Sequence, residues 1–144
     1  MSLAVIDTVL PTKAESYRWF LHALFNQFQS DRESGKWCIF RSAETVDETW
    51  VAVRDAVVRG ELAAAICSTP TQAAEHGGTY VICVFNRQAR NIVEVMEVRQ
   101  KLRELGIPEP LKYKRDLETF NNVYGTQDEF IYDESRPETL AGHE

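Results

Sequence analysis

The chain has 144 residues, 44% of them hydrophobic and 26% charged, with seven Gly, five Pro and three Cys. This ordinary globular composition excludes collagenous, low-complexity and disulfide-framework proteins, and the length is enough to bury a core without metals or cross-links. The net charge of −6 argues against tight non-specific binding to nucleic acid, and no apolar run approaches the roughly 20 residues of a membrane span.

Three helices are predicted from periodicity and caps, taken in chain order. After Pro11, Thr12 and Glu15 form a capping-box pattern, and Tyr17, Phe20, Leu21, Leu24, Phe25 and Phe28 recur at helical spacing. Thr45 and Glu48 repeat the box, Val46, Trp50, Val53 and Val57 make one stripe, and Gly60 stands where a left-handed stop is wanted, so a helix of about 14 residues is expected. The third starts at Asn91 with Glu94 at N3, turns Ile92, Val95, Val98, Leu102 and Leu105 inward and Arg99, Lys101 and Arg103 outward, and stops at Gly106 before Pro108.

Strands are predicted between these helices at Lys36–Arg41, Leu62–Thr69, Tyr80–Asn86 and Leu111–Arg115, with a weaker one at Glu129–Tyr132. Pro70–Gly78 reads as a loop joining two strands. The order predicts an α+β domain over residues 1–132: two layers, with a mostly antiparallel sheet and about three helices packed on one face, leaving the other face open. Residues 133–144 read as a disordered acidic tail.

Cys38, Cys67 and Cys83 each lie in an apolar run, which predicts buried free thiols in a reducing compartment. The N-terminus lacks a basic region followed by a long apolar one, so a cytoplasmic protein is expected. Zinc spacing, phosphate-cradling Gly-rich loops and a nucleophile elbow are all missing, and no metal or cofactor is indicated. His22, His76 and His143 fall in unrelated settings.

Charge is unevenly spread: residues 79–115 carry eight basic and four acidic side chains, residues 116–144 one and eight. Within the basic third, a strand over Leu111–Arg115 would send Lys112 and Lys114 to one face and Tyr113 and Arg115 to the other, a geometry suited to holding a phosphate and equally to guarding a sheet edge. Lys36 beside Trp37 adds another cation, and Trp19, off the apolar face of the first predicted helix, is a candidate interaction anchor.

Several blocks taken together carry a family likeness. Gly35-Lys36-Trp37, Val46-Asp47-x-x-Trp50, Gly60, Ser68-Thr69, Val81-Ile82-Cys83-Val84, Val98-Arg99-x-x-Leu102-Arg103-x-Leu105-Gly106, Tyr113-Lys114-x-Asp116-x-x-Thr119 and Tyr124 resemble the basophilic-leukaemia-expressed-protein-like family. The resemblance implies a fold similar to cap-binding translation initiation factor 4E, a curved antiparallel sheet with helices on its convex back. In that factor two Trp rings sandwich the methylated base. Here the loop after the first strand is absent and Pro70–Gly78 holds no aromatic residue, so cap-type stacking is not expected. Some relatives are named as phosphothreonine lyases, a chemistry that needs a lysine base with a histidine acid, and no His accompanies Lys36 or Lys114 in the sequence.

The leading expectation is a non-catalytic domain that binds a phosphate-bearing ligand, nucleotide or RNA, on the open sheet face through Lys36, Ser68, Thr69, Lys112, Lys114 and Arg115. The alternatives are a protein-interaction or homodimeric module anchored by Trp19, and a lyase-type enzyme using Lys114 as base with Tyr124 or Thr119 nearby.

Overall fold

The computed structural model describes residues 4–25, 28–125 and 129–140. In chain order its elements are β1 (Ala4–Ile6), a 3-10 turn (Pro11–Lys13), β2 (Phe20–Phe25), β3 (Gly35–Arg41), α1 (Val46–Val58), β4 (Ala64–Ser68), α2 (Pro70–Ala74), β5 (Tyr80–Asn86), α3 (Ile92–Glu104), β6 (Lys112–Arg115), α4 (Asp116–Phe120), β7 (Tyr132–Asp133) and a second 3-10 turn (Pro137–Thr139). They make two compact units, one of residues up to Phe28 with Ile39–Val84, the other of Gln29–Cys38 with Phe85 onward. Strand neighbours follow the order β1-β2-β4-β5 in the first unit and β3-β6-β7 in the second.

In the first unit β2 pairs antiparallel with β1 and with β4, in the register Phe20↔Ser68 to Leu24↔Ala64. The helix expected after Pro11 is thus a 3-10 turn followed by a strand. The segment is apolar on both faces: Leu21 and Ala23 are buried on one side, while Phe20, His22 and Leu24 lie half-buried on the other. Such a run satisfies a period of 3.6 and a period of 2 alike, and the backbone partners on β1 and β4 decide for the strand. Thr12, expected to cap its own helix, instead donates its N–H to Asp47 Oδ1 at 3.0 Å and its hydroxyl to Asp47 Oδ2 at 2.6 Å.

Helix α1 turns Val46, Trp50, Val53, Ala56 and Val57 into the core, as the stripe predicted. Its chain reverses at Gly60, whose φ of +79° is costly for any residue with a Cβ. The Thr45 side chain makes no cap bond, and the N–H groups of Thr45 and Val46 go to Ser42 O at 3.2 and 3.0 Å. Residues 70–74, expected within a loop, form the short helix α2, with Pro70 in its first turn.

In the second unit β6 lies between β3 and β7, antiparallel to both. Trp37, Tyr113 and Tyr132 are fully buried, with ring centroids 5.2 and 5.4 Å apart along the row. The Tyr113 hydroxyl donates to Asn86 Oδ1, and Trp37 Nε1–H donates to Val95 O at 2.9 Å. Helix α3 starts as predicted, with Asn91 Oδ1 accepting from the Glu94 N–H at 3.2 Å. Its inner face holds a surprise: the buried residues are Val95, Arg99 and Leu102, and Arg99, expected outside, is fully enclosed. The guanidinium donates to Glu134 Oε1 at 2.6 Å and to the carbonyls of Ile107 and Glu109 at 3.0 and 2.7 Å. Glu134 also accepts from Arg103 and from the Leu111 N–H. Residues 133–140, placed in an acidic tail by composition, thus include part of β7 and the carboxylate that holds Arg99, while 141–144 lie outside the described residues. All three cysteines are free and buried, as expected.

Candidate anion-binding site

The residues singled out from sequence are divided between the two units. Ser68 and Thr69 belong to the first unit, where both hydroxyls serve the backbone. Ser68 Oγ accepts from the Val81 N–H at 2.8 Å, and Thr69 Oγ1 donates to the carbonyls of Arg18 and Trp19. Trp19 stands just before β2, not on a helix, and its side chain is 49% exposed.

Lys36, Lys112, Lys114 and Arg115 belong to the second unit. Lys36 and Lys114 are directly opposite one another on β3 and β6, so their side chains share a face, away from Trp37 and Tyr113. Like charges so placed repel, and each is buried and neutralised separately. Lys36 Nζ donates to Asp116 Oδ1 at 2.5 Å and to Thr119 Oγ1 at 2.9 Å, with the Phe85 ring 5.6 Å below. Asp116 also accepts from the hydroxyls of Ser30 and Ser34. Lys114 Nζ lies 3.6 Å from Glu129 Oε2 and 3.6 Å from the centre of the Tyr124 ring. Burial pushes the Lys114 ammonium below its usual range; Glu129 opposes that shift and Lys36 adds to it. Lys112 is exposed, with its ammonium 5.3 Å over the Phe130 ring.

A depression of about 210 Å³ in the same unit is lined by Arg32, Glu33, Ala89, Arg90, Arg115 and Leu117. Local chemistry explains how its walls meet. Asp31 Oδ1 accepts from the N–H groups of Glu33 and Ser34 at 2.8 and 3.1 Å, which folds the turn before β3. The Ala89 N–H then donates to Glu33 O at 2.7 Å and ties that turn to the loop between β5 and α3. Arg32 and Arg90 are brought to one rim in consequence. Both are exposed, and among the described residues neither makes an ion pair or side-chain hydrogen bond. Arg115, at the end of β6, is the third guanidinium; Glu118 holds it through both carboxylate oxygens, with Nε at 2.9 and 3.0 Å. Arg90 and Arg115 stand near enough to Tyr132 to oppose the upward shift that burial imposes on its phenol.

Of the three arginines only Arg115 was singled out by the strand argument. Arg32 and Arg90 stand in Asp31-Arg32-Glu33 and Arg87-Gln88-Ala89-Arg90, two short charged runs with no motif spacing between them. The excess of basic residues over 79–115 was the available signal for Arg90, and it pointed equally at the outer face of α3.

With this geometry in view, comparison with known proteins places the chain. The family model described as basophilic leukemia-expressed protein Bles03 matches residues 22–120. The chain belongs to this family. Solved structures of translation initiation factors share its fold at low identity. Schistosome eIF4E, solved with m7GpppG and 4E-BP, superposes with a TM-score of 0.65 at 13% identity over 88% of this chain and 75% of that one. Ascaris suum eIF4E-3, solved with an m2,2,7G cap, gives 0.61 at 12% over 83% and 72%. C. elegans eIF4E-3, solved with the 4E-binding protein Mextli and a cap analog, gives 0.60 at 15% over 76% and 72%. The α+β architecture expected for the chain, with its antiparallel sheet and helices, is therefore the eIF4E-like one. Among the described residues no helix is long and apolar enough to cross a membrane.

Proposed function

We propose that this chain is a non-catalytic domain that binds a phosphate-bearing ligand, a nucleotide or an RNA end, with Arg32, Arg90 and Arg115 as the phosphate contacts. One observation carries the reading: two guanidiniums without partners among the described residues share a depression with a third. A guanidinium offers parallel N–H donors that fit two phosphate oxygens at once, so such a cluster is suited to this ligand chemistry. Lys36 and Lys114 act behind it as structural charges, each held by its own carboxylate, and Lys112 remains the exposed cation of the original set. Cap-type Trp stacking plays no part in this reading, because the segment 70–78 carries no Phe, Tyr or Trp.

Titration calorimetry with 5′-AMP and inorganic phosphate tests the proposal. Arg90→Ala should weaken binding by about tenfold or more, the worth of one charge-assisted hydrogen bond, and leave the melting temperature unchanged because Arg90 is exposed. Wild-type affinity should fall between about 50 and about 200 mM salt. Equal affinity of variant and wild type would move the site elsewhere. The interaction-module reading rests on a different residue, Trp19, which stands 49% exposed in the first unit, with Tyr17 exposed beside it.

A further inference from the structure

We infer that the arginine-lined depression selects a terminal phosphate monoester, carried by a mononucleotide, over the internal phosphodiesters of a nucleic-acid strand. The inference rests on the phosphate reading above and sharpens it to one class of ligand.

Charge matching is the first argument. Arg32 and Arg90 are two cations without partners among the described residues, and Arg115 already shares its charge with Glu118. A phosphate monoester carries roughly −1.5 to −2 near pH 7 and offers three terminal oxygens. An internal diester carries a single negative charge and two free oxygens, too few to occupy two guanidinium forks and reach the third.

Size is the second. At about 210 Å³ the depression is smaller than the roughly 300 Å³ at which pockets begin to engulf a drug-sized molecule, so it accommodates a phosphate group and leaves sugar and base outside.

The rim is the third argument. Glu33 lines the depression and its carboxylate, like Arg32 and Arg90, makes no ion pair among the described residues. A monoester approaches once, phosphate first. A strand must enter and leave, carrying flanking phosphates past Glu33 and Glu118, in a chain whose net charge is −6. Free Glu33 also offers an acceptor to a hydroxyl or amino donor beside the bound phosphate, as the ribose of a mononucleotide does.

The test measures binding of four probes to the full chain at one ionic strength: inorganic phosphate, 5′-AMP, the dinucleoside monophosphate ApA, which has only an internal diester, and 5′-phosphorylated pApA. Phosphate, AMP and pApA should bind, and ApA should be at least about tenfold weaker, a difference set by the second charge. AMP affinity should rise as pH passes through about 6, where the monoester takes its second charge, while any ApA binding stays flat. If ApA binds as tightly as AMP, the selectivity is overturned and the phosphate reading stands. If none of the four binds, both fail. If a phosphoserine peptide binds about tenfold more tightly than AMP, the monoester class survives and the mononucleotide assignment is overturned.

Discussion

Arg99 and Arg103 lie about one turn apart on α3 and hold the same carboxylate, so they make a controlled comparison of a buried and an exposed ion pair. Arg99 is fully enclosed and satisfies Glu134 and two backbone carbonyls; the Arg103 side chain is 40% exposed and, among the described residues, reaches only Glu134 Oε2, at 2.5 Å. Replacing Arg99 by Met removes a buried charge and strands the carbonyl of Ile107. Breaking a buried pair costs about 3–5 kcal/mol, and because Glu134 keeps Arg103 the expected loss is about 3. Arg103→Met should cost under about 1 kcal/mol, as exposed pairs do. For a chain of this size the first corresponds to a fall in melting temperature of about 6–12 °C and the second to about 2–4 °C at most. Urea titrations of both variants at low and high salt provide the assay, with salt expected to erase the Arg103 effect and to leave the Arg99 effect in place. Equal losses, or equal salt sensitivity, would refute the claim that burial separates the two arginines.

Two further outcomes follow from the core of the second unit. A Cβ at Gly35 would lie 2.6 Å from both Cε1 and Cζ of Tyr113, whose ring is wedged against Trp37 and Tyr132, so Gly35→Ala should destabilise by about 1–3 kcal/mol in a urea titration. The same substitution in a Tyr113→Ala background should be nearly neutral, and a penalty that persists there would show that the ring is not its cause. Burial holds the Lys114 ammonium below its ordinary 10.5, a value the unfolded chain regains. Below that ordinary value the unfolded chain binds more protons than the folded one, so this group makes stability rise with pH on the approach to 10.5, and Lys114→Met should remove that contribution from the pH dependence of stability measured by urea titration. Parallel pH dependences for the two proteins would remove Lys114 as the source.

Much of the fold was legible wherever its determinants are local. Helices α1 and α3 announce themselves by spacing, by Asn91 and by the glycines at 60 and 106, and β5 by an unbroken apolar run bounded by polar residues. Each of these signals acts within a few residues, so the chain alone carries it. The family blocks, being ordered along the chain, were legible for the same reason. Residues 20–25 were not, because Phe-Leu-His-Ala-Leu-Phe is apolar on both faces and only hydrogen bonding to β1 and β4 chooses between helix and strand. Arg99 was read as an outer residue because its position on α3 suits either face; what draws it inward is Glu134, far along the chain in a segment whose acidity reads as solubilising.

The candidate site divides along the same line. Sequence determined that residues 79–115 are rich in cations, that Arg115 and the lysines of β6 alternate on a strand, and that residues 70–78 hold no Phe, Tyr or Trp to stack on a base. Tertiary structure decided which cations are spent on carboxylates and which stay open. Lys36 and Lys114 become opposed only through strand pairing, and desolvation forces each into a neutral pair. Arg32 and Arg90 reach one rim only because the Ala89 N–H finds Glu33 O, a backbone bond between two loops that neither loop encodes by itself.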